Sequence, residues 1–281
     1  MDKEKALKGI QSNIMSGNKK LASEQIAGLA DNFSDDPFTL LTCASLLKVI
    51  EDEDGARKMA GRIPGKVSSE TGSGLEVSKG LMGLGFYSEA EMILSRLDDN
   101  EEVRRERMRA LSGMKNYAES SKMYERLDDP TLEDTIIMIE AVSASGEHDH
   151  SIKLAEELIA EAPDDLKVQR CFCAALCAGG KSKEAGRFVK DILKKSRSSS
   201  DANAVASYYL WVEGKSTSAG AYATKAVKAD PSNIIAMEIL AYCLVEKGKI
   251  MEAKTVAGAI NEKEPGNPAI VRILDMCRLA G

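Results

Sequence analysis

Three stretches decide the fold: Gly180-Lys181-Ser182-Lys183-Glu184-Ala185, Gly214-Lys215-Ser216-Thr217-Ser218-Ala219 and Gly248-Lys249-Ile250-Met251-Glu252-Ala253. Each opens on a glycine, closes on an alanine and follows its predecessor by 34 residues. Gly146 stands one period earlier, with Ser151 in the alanine column. Pro163, Pro231 and Pro265 keep the same register, Arg197 taking the remaining place. Three such columns over four periods define an internal repeat.

Each column has a physical reason. A glycine closes a first helix where the chain turns left-handed, a conformation that costs little only without a Cβ. The alanine marks the close crossing of two helices. The proline ends a second helix, because it lacks an amide proton and restricts the residue before it.

The unit resembles the tetratricopeptide repeat, a helix–turn–helix of about 34 residues. In that register repeats fall at 132–165, 166–199, 200–233 and 234–267. Leu240, Ala241, Leu244, Gly248, Ala253 and Pro265 occupy signature sites of the last, while Met237 and Ile250 stand where the family has aromatics. Earlier repeats are expected at about 3–36, 37–70, 71–98 and 99–131. Their turns are marked by Gly17, by Glu51 in place of a glycine, by Gly85 with Tyr87 and Ala90, and by Gly113 with Tyr117 and Ala118. The segment 268–280 supplies a closing helix through Ile270, Val271, Ile273, Leu274 and Met276. The expected fold is all-α: a single right-handed α-solenoid superhelix of about eight helix pairs plus a C-terminal capping helix. Gly61–Gly74 and Lys194–Ser200 are its loosest connections.

Composition agrees. A hydrophobic fraction of 43% with 29% charged residues suits a folded chain. The net charge of −6 has the wrong sign for general nucleic-acid binding. Met1–Lys8 has no signal-like apolar core, and no run is long enough to cross a membrane, so a cytoplasmic location is expected.

Catalytic and metal motifs are weak. Cys171, Cys173 and Cys177 cluster on one expected helix without the four-ligand spacing of a zinc site, and read as buried thiols. His148 and His150 read as solvated turn residues. No nucleophile has a plausible base, and the glycines of Gly72–Gly74 lack the lysine of a phosphate loop. No catalytic residue, metal or cofactor is therefore expected.

Binding residues are better candidates. The resemblance implies that the second, fifth, ninth and twelfth positions of each first helix face a concave groove. Tyr208 and Trp211 hold two of these positions, Tyr242 lies 34 residues after Tyr208, and Arg170 and Arg272 stand at fifth positions to either side. Arg104 and Arg107 face the same way in an arginine-rich helix that otherwise reads as solvated. The carboxylate clamp by which some members hold acidic chaperone tails is absent. Leu7, Gln11, Thr42, Gly72 and Glu76 stand at its positions, and in a later window Arg170 is followed by Ala174. The expected function is a non-enzymatic scaffold binding a protein or peptide in that groove. The alternative is an assembly or regulatory subunit joined through a solenoid end or its convex face. The oligomeric state stays open.

Overall fold

The computed structural model describes residues 2–68, 70–264 and 267–280, with the Pro268 side chain left aside. Among them it is all helix and turn. The first pairs are α1 (Lys3–Met15) with α2 (Lys19–Asn32), α3 (Pro37–Val49) with α4 (Glu53–Arg62) and α5 (Thr71–Gly83) with α6 (Tyr87–Leu94), followed in the chain by α7 (Glu101–Gly113) and α8 (Tyr117–Tyr124). They continue as α9 (Leu132–Ala144) with α10 (His148–Glu161), α11 (Leu166–Ala178) with α12 (Ser182–Lys195), α13 (Ser200–Val212) with α14 (Ser216–Ala229), and α15 (Ile234–Glu246) with α16 (Ile250–Lys263). The last helix is α17 (Pro268–Ala280). The helix-pair architecture read from the sequence is therefore the observed one.

The punctuation explains the helices. Gly17, Gly85, Gly146, Gly180, Gly214 and Gly248 all have positive φ. At the latter three turns the amides of Lys181, Lys215 and Lys249 donate back to the carbonyls of Leu176, Leu210 and Leu244 at 2.8, 2.8 and 2.9 Å, which closes the exposed helix end. First helices start on a second column. Thr131, Asp165, Ser199 and Asn233 each accept an amide of the first turn on the side chain. Second helices stop two residues before Pro163, Arg197 and Pro231; Pro265 lies outside the described residues.

One turn departs from expectation. Gly113 is the last residue of α7, and the left-handed residue is Lys115, at φ 62°. The buried small residue after this turn is accordingly Ser120, while Ala118 is exposed. Gly113 has a different cause: a Cβ there would sit 2.4 Å from the Tyr87 ring. Glu51 adopts the turn conformation without glycine, at φ 65°.

The chain divides into two compact units, Met1–Met114 and Lys115–Gly281. In the first, Ile10, Ile26, Leu29, Leu40, Leu81 and Ile93 belong to one apolar cluster. The glycine-rich connection after α4 is tied down by Arg96, which donates to the Pro64 carbonyl at 2.8 Å. In the second, apolar clusters around Ile139, Leu176 and Val205 and around Ile239, Ala257 and Ile273 fill the spaces between pairs.

Candidate functional site on the first helices of the second unit

The 34-residue register brings residues of successive first helices together. The fifth-position column reads Arg170, Ala204, Glu238 and Arg272 on α11, α13, α15 and α17. Ala204, fully buried, leaves room in the column, and Arg170 Nη1 lies 3.5 Å from Glu238 Oε2 two first helices away. Its Nη2 lies 3.7 Å from Glu140 Oε1 on α9. The guanidinium sits 5.9 Å from the centre of the Tyr208 ring, within cation–π reach.

The aromatics form the other half. The rings of Trp211 and Tyr242 stack at 5.0 Å with 27° between their planes. Trp211 Nε1 donates to Glu246 Oε1 at 3.0 Å. Both rings join Tyr208 and Met276 in the apolar cluster of the last pairs. Tyr242 is only 6% exposed, whereas Tyr208 and Trp211 are half-buried and Arg272 is exposed.

The electrostatics follow from burial. Burial raises the pKa of Glu238, and the nearby charges of Arg170 and Arg272 do not cancel the rise. Burial works against the Arg170 charge, but Glu140 and Glu238 outweigh it and lift the guanidinium pKa further. Burial also raises the hydroxyls of Tyr208 and Tyr242. Arg170 is thus balanced inside the protein, while Arg272 has no ion pair within 4 Å among the described residues.

The structure therefore gathers Arg170, Tyr208, Trp211, Tyr242 and Arg272 on one face. Arg104 and Arg107 lie on α7 of the first unit and are engaged there. Arg104 pairs with Asp99 at 2.8 Å, and Arg107 grips Glu91 through two nitrogens at 2.7 and 3.0 Å. Sequence reasoning missed Glu238 and Glu140 as partners of Arg170. The signal was available, since Glu238 stands midway between Ala204 and Arg272 in their column.

The other sulfur and imidazole groups read as structure. Burial pushes the Cys171 thiol up to about 12. A hydrogen bond between Cys173 and Cys177 raises the former and lowers the latter. Among the described residues no three of the metal-ligating types His, Cys, Asp and Glu are grouped to hold an ion. His148 and His150 lie in the first turn of α10, not in the loop before it, and His150 Nδ1 is 3.6 Å from Glu147. No described helix is long and apolar enough to cross a membrane.

No family model matches the chain, and no curated protein matches it. Solved structures of tetratricopeptide repeat proteins do. A tetratricopeptide repeat protein from Parabacteroides merdae is 12% identical over 86% of this chain and 98% of its own, with a TM-score of 0.49. Yeast Tom70 is 15% identical over 93% of this chain and 58% of its own, at 0.47. The P58(IPK) tetratricopeptide domain is 13% identical over 100% of this chain and 98% of its own, at 0.34. The likeness is one of fold.

Proposed function

We propose that the chain is a non-enzymatic scaffold that binds a protein or peptide on the first-helix face of its second unit. The observation that carries this reading is the Trp211–Tyr242 stack flanked by Tyr208, Arg170 and the unpaired Arg272. Trp, Tyr and Arg are the residues that most often anchor interfaces, and a half-buried cluster of them loses little further freedom on binding. Arg170 is held by its carboxylates and serves to fix Tyr208, so Arg272 is the cation offered to a partner. Free, buried thiols along the helices favour a reducing, cytoplasmic setting.

The alternative, an assembly or regulatory subunit joined through an end of the array, is supported by Leu274 and Leu279 of α17, which are 37% and 90% exposed. The two readings separate by mutation. Arg272→Glu, at an exposed position, should abolish recovery of the natural partner from the native cell while the melting temperature stays close to wild type. Full recovery by that variant, with loss on Leu274→Asp and Leu279→Asp, would move the interface to α17.

A further inference from the structure

Residues 181–197 hold seven cations and two acids, in a chain whose net charge is −6. Most of this segment is α12, and its charges are ordered. Lys183, Arg187, Lys190 and Lys194 stand at i, i+4, i+7 and i+11, which places them on one face over about 16 Å of helix. All four are exposed, as are Lys195 and Arg197 beyond them. The other face is core. Ala185 and Val189 are buried, and the Phe188 ring meets Phe172 of α11 edge-on at 4.9 Å.

The fold makes little use of these charges. Lys194 pairs with Asp191 of the same helix at 2.9 Å. Lys183, Arg187, Lys190, Lys195 and Arg197 have no carboxylate within 4 Å among the described residues. Arg187 Nε reaches only the Lys183 carbonyl, at 3.5 Å. Like charges one turn apart weaken a helix, and Lys183 lies in the first turn, where a cation also opposes the helix dipole. Lys194 and Lys195 sit in the last turn and suit the dipole there. Lys183, Arg187 and Lys190 have no such return.

The basic rib is confined to this helix. In the preceding second helix, α10, exposed Asp149 and Glu156 take the places of Lys183 and Lys190 one period earlier. In α14 and α16 the columns of Lys183, Arg187 and Lys190 hold no charged residue. A broad anionic surface, such as a lipid bilayer or a nucleic-acid duplex, would press on the α10 acids as well as on the rib. A narrow acidic chain lying along α12 would not.

We propose that this face of α12 is a second docking site, for an acidic protein segment that lies along the helix and sets its carboxylates against Lys183, Arg187 and Lys190. Opposite charge along the rib supplies the attraction, and the acids of α10 disfavour wider polyanions. Arg187 offers a fork that holds a carboxylate through two nitrogens.

The test is a display library of random peptides selected on the whole wild-type chain at physiological salt. It is depleted on a variant carrying Lys183→Gln, Arg187→Gln and Lys190→Gln. The three positions are exposed, and the variant should melt at or slightly above wild type, because like-charge repulsion is relieved. A lowered melting temperature would mean that the charges serve the fold, and overturns the proposal. The expected survivors are rich in Asp and Glu, and should lose at least about tenfold in affinity on the triple variant. They should keep their affinity on Lys225→Gln with Lys228→Gln, in α14, and on Arg272→Glu, which marks them off from ligands of the first-helix face. Failure to recover any discriminating peptide overturns the proposal, as does a set without acids or one that loses equally on the α14 variant. Tighter binding of phosphatidylserine vesicles or of a single-stranded oligothymidylate, lost on the triple variant, would overturn it in favour of a lipid or nucleic-acid surface.

Discussion

Every first helix, from α1 to α17, is 13 residues long, whereas the second helices run from 8 residues in α6 and α8 to 14 in α2, α10, α12, α14 and α16. Burial explains the difference. In α15 nine residues are buried, on more than one face, but in α16 only Ala253, Ala257 and Ile260 are. In the second unit a first helix such as α13 packs against its own partner α14 and against the first helices α11 and α15 before and after it. Its length is fixed by neighbours on several sides. A second helix uses one stripe, and a turn can be lost from its free end without opening the core. The period shortens where the second helices are shortest, with first helices starting at 71, 101 and 132, and returns to 34 once they regain full length; the 10-residue α4 keeps the full period because a longer connection follows it.

The sharpest way to break this comparison is to overpack the crossing of a long and of a short second helix. Ala253 is fully buried where α16 crosses α15, and Ala90, also fully buried, holds the same place where the eight-residue α6 crosses α5. Ala253→Leu should cost about 2–3 kcal/mol, because the long helix is pinned at both ends and cannot shift away. Ala90→Leu should cost about 1 kcal/mol, since the eight-residue α6 can move as a body. Chemical denaturation of the two variants measures both, and equal losses would mean that helix length does not govern the tolerance.

Ion pairs should divide in the same way. Arg170 ties first helices together, so Arg170→Ala should destabilise by about 2 kcal/mol through loss of a largely buried charge contact. Lys194 pairs with Asp191 within α12, and both side chains are exposed. Lys194→Ala should change stability by less than about 0.5 kcal/mol. A cost for Lys194→Ala that matched Arg170→Ala would contradict the division.

Their pH dependences should have opposite signs. Glu238 has its folded pKa raised by burial above the ordinary 4.5. Its stabilising contribution is therefore full below 4.5 and is lost as pH rises through the folded value. Asp191 has its folded pKa lowered from 3.8 by Lys194, so its contribution is present above 3.8 and is lost as pH falls. Between pH 4 and 7, Glu238→Gln should gain stability relative to wild type as pH rises, and Asp191→Asn should not. Melting curves across that range decide it, and a flat difference for Glu238→Gln would refute the assignment.

The parts of this architecture legible in the sequence are those where a backbone need admits one residue type. Gly180, Gly214 and Gly248 answer a left-handed turn, and Ala185, Ala219 and Ala253 a close crossing. The turn at Lys115 was hidden because a lysine adopts the glycine conformation, and because Gly113, two residues away, is a glycine for another reason: the Tyr87 ring above it. At the site, Tyr208, Trp211 and Tyr242 could be placed by register alone. Their exposure could not, since 34-residue spacing puts Tyr208 and Tyr242 in the same column yet leaves one half-buried and the other 6% exposed. The difference depends on the Trp211 ring stacking over Tyr242, a contact that crosses from one helix to the next.

Lys115 offers the finest test, at a boundary where the short pairs begin to give way to the regular ones. A residue with a Cβ pays roughly 1–2 kcal/mol for left-handed backbone, and Lys115 sits at φ 62°. Glycine removes that strain but frees the unfolded chain, which costs about 0.5–1 kcal/mol. The lysine is exposed, so its side chain offers little packing to lose. Lys115→Gly should therefore raise stability by about 0.5 kcal/mol, read as a small upward shift of the denaturation midpoint. Glu51→Gly is the control. Glu51 has the same conformation, at φ 65°, but accepts from Lys19 Nζ at 2.6 Å across to α2. Losing that exposed pair, worth up to about 0.5–1 kcal/mol, should offset the relief and leave the midpoint nearly unchanged. If Lys115→Gly destabilised the protein, the lysine would be holding the short α8 in place through its side chain, and the turn would not be a strained substitute for glycine.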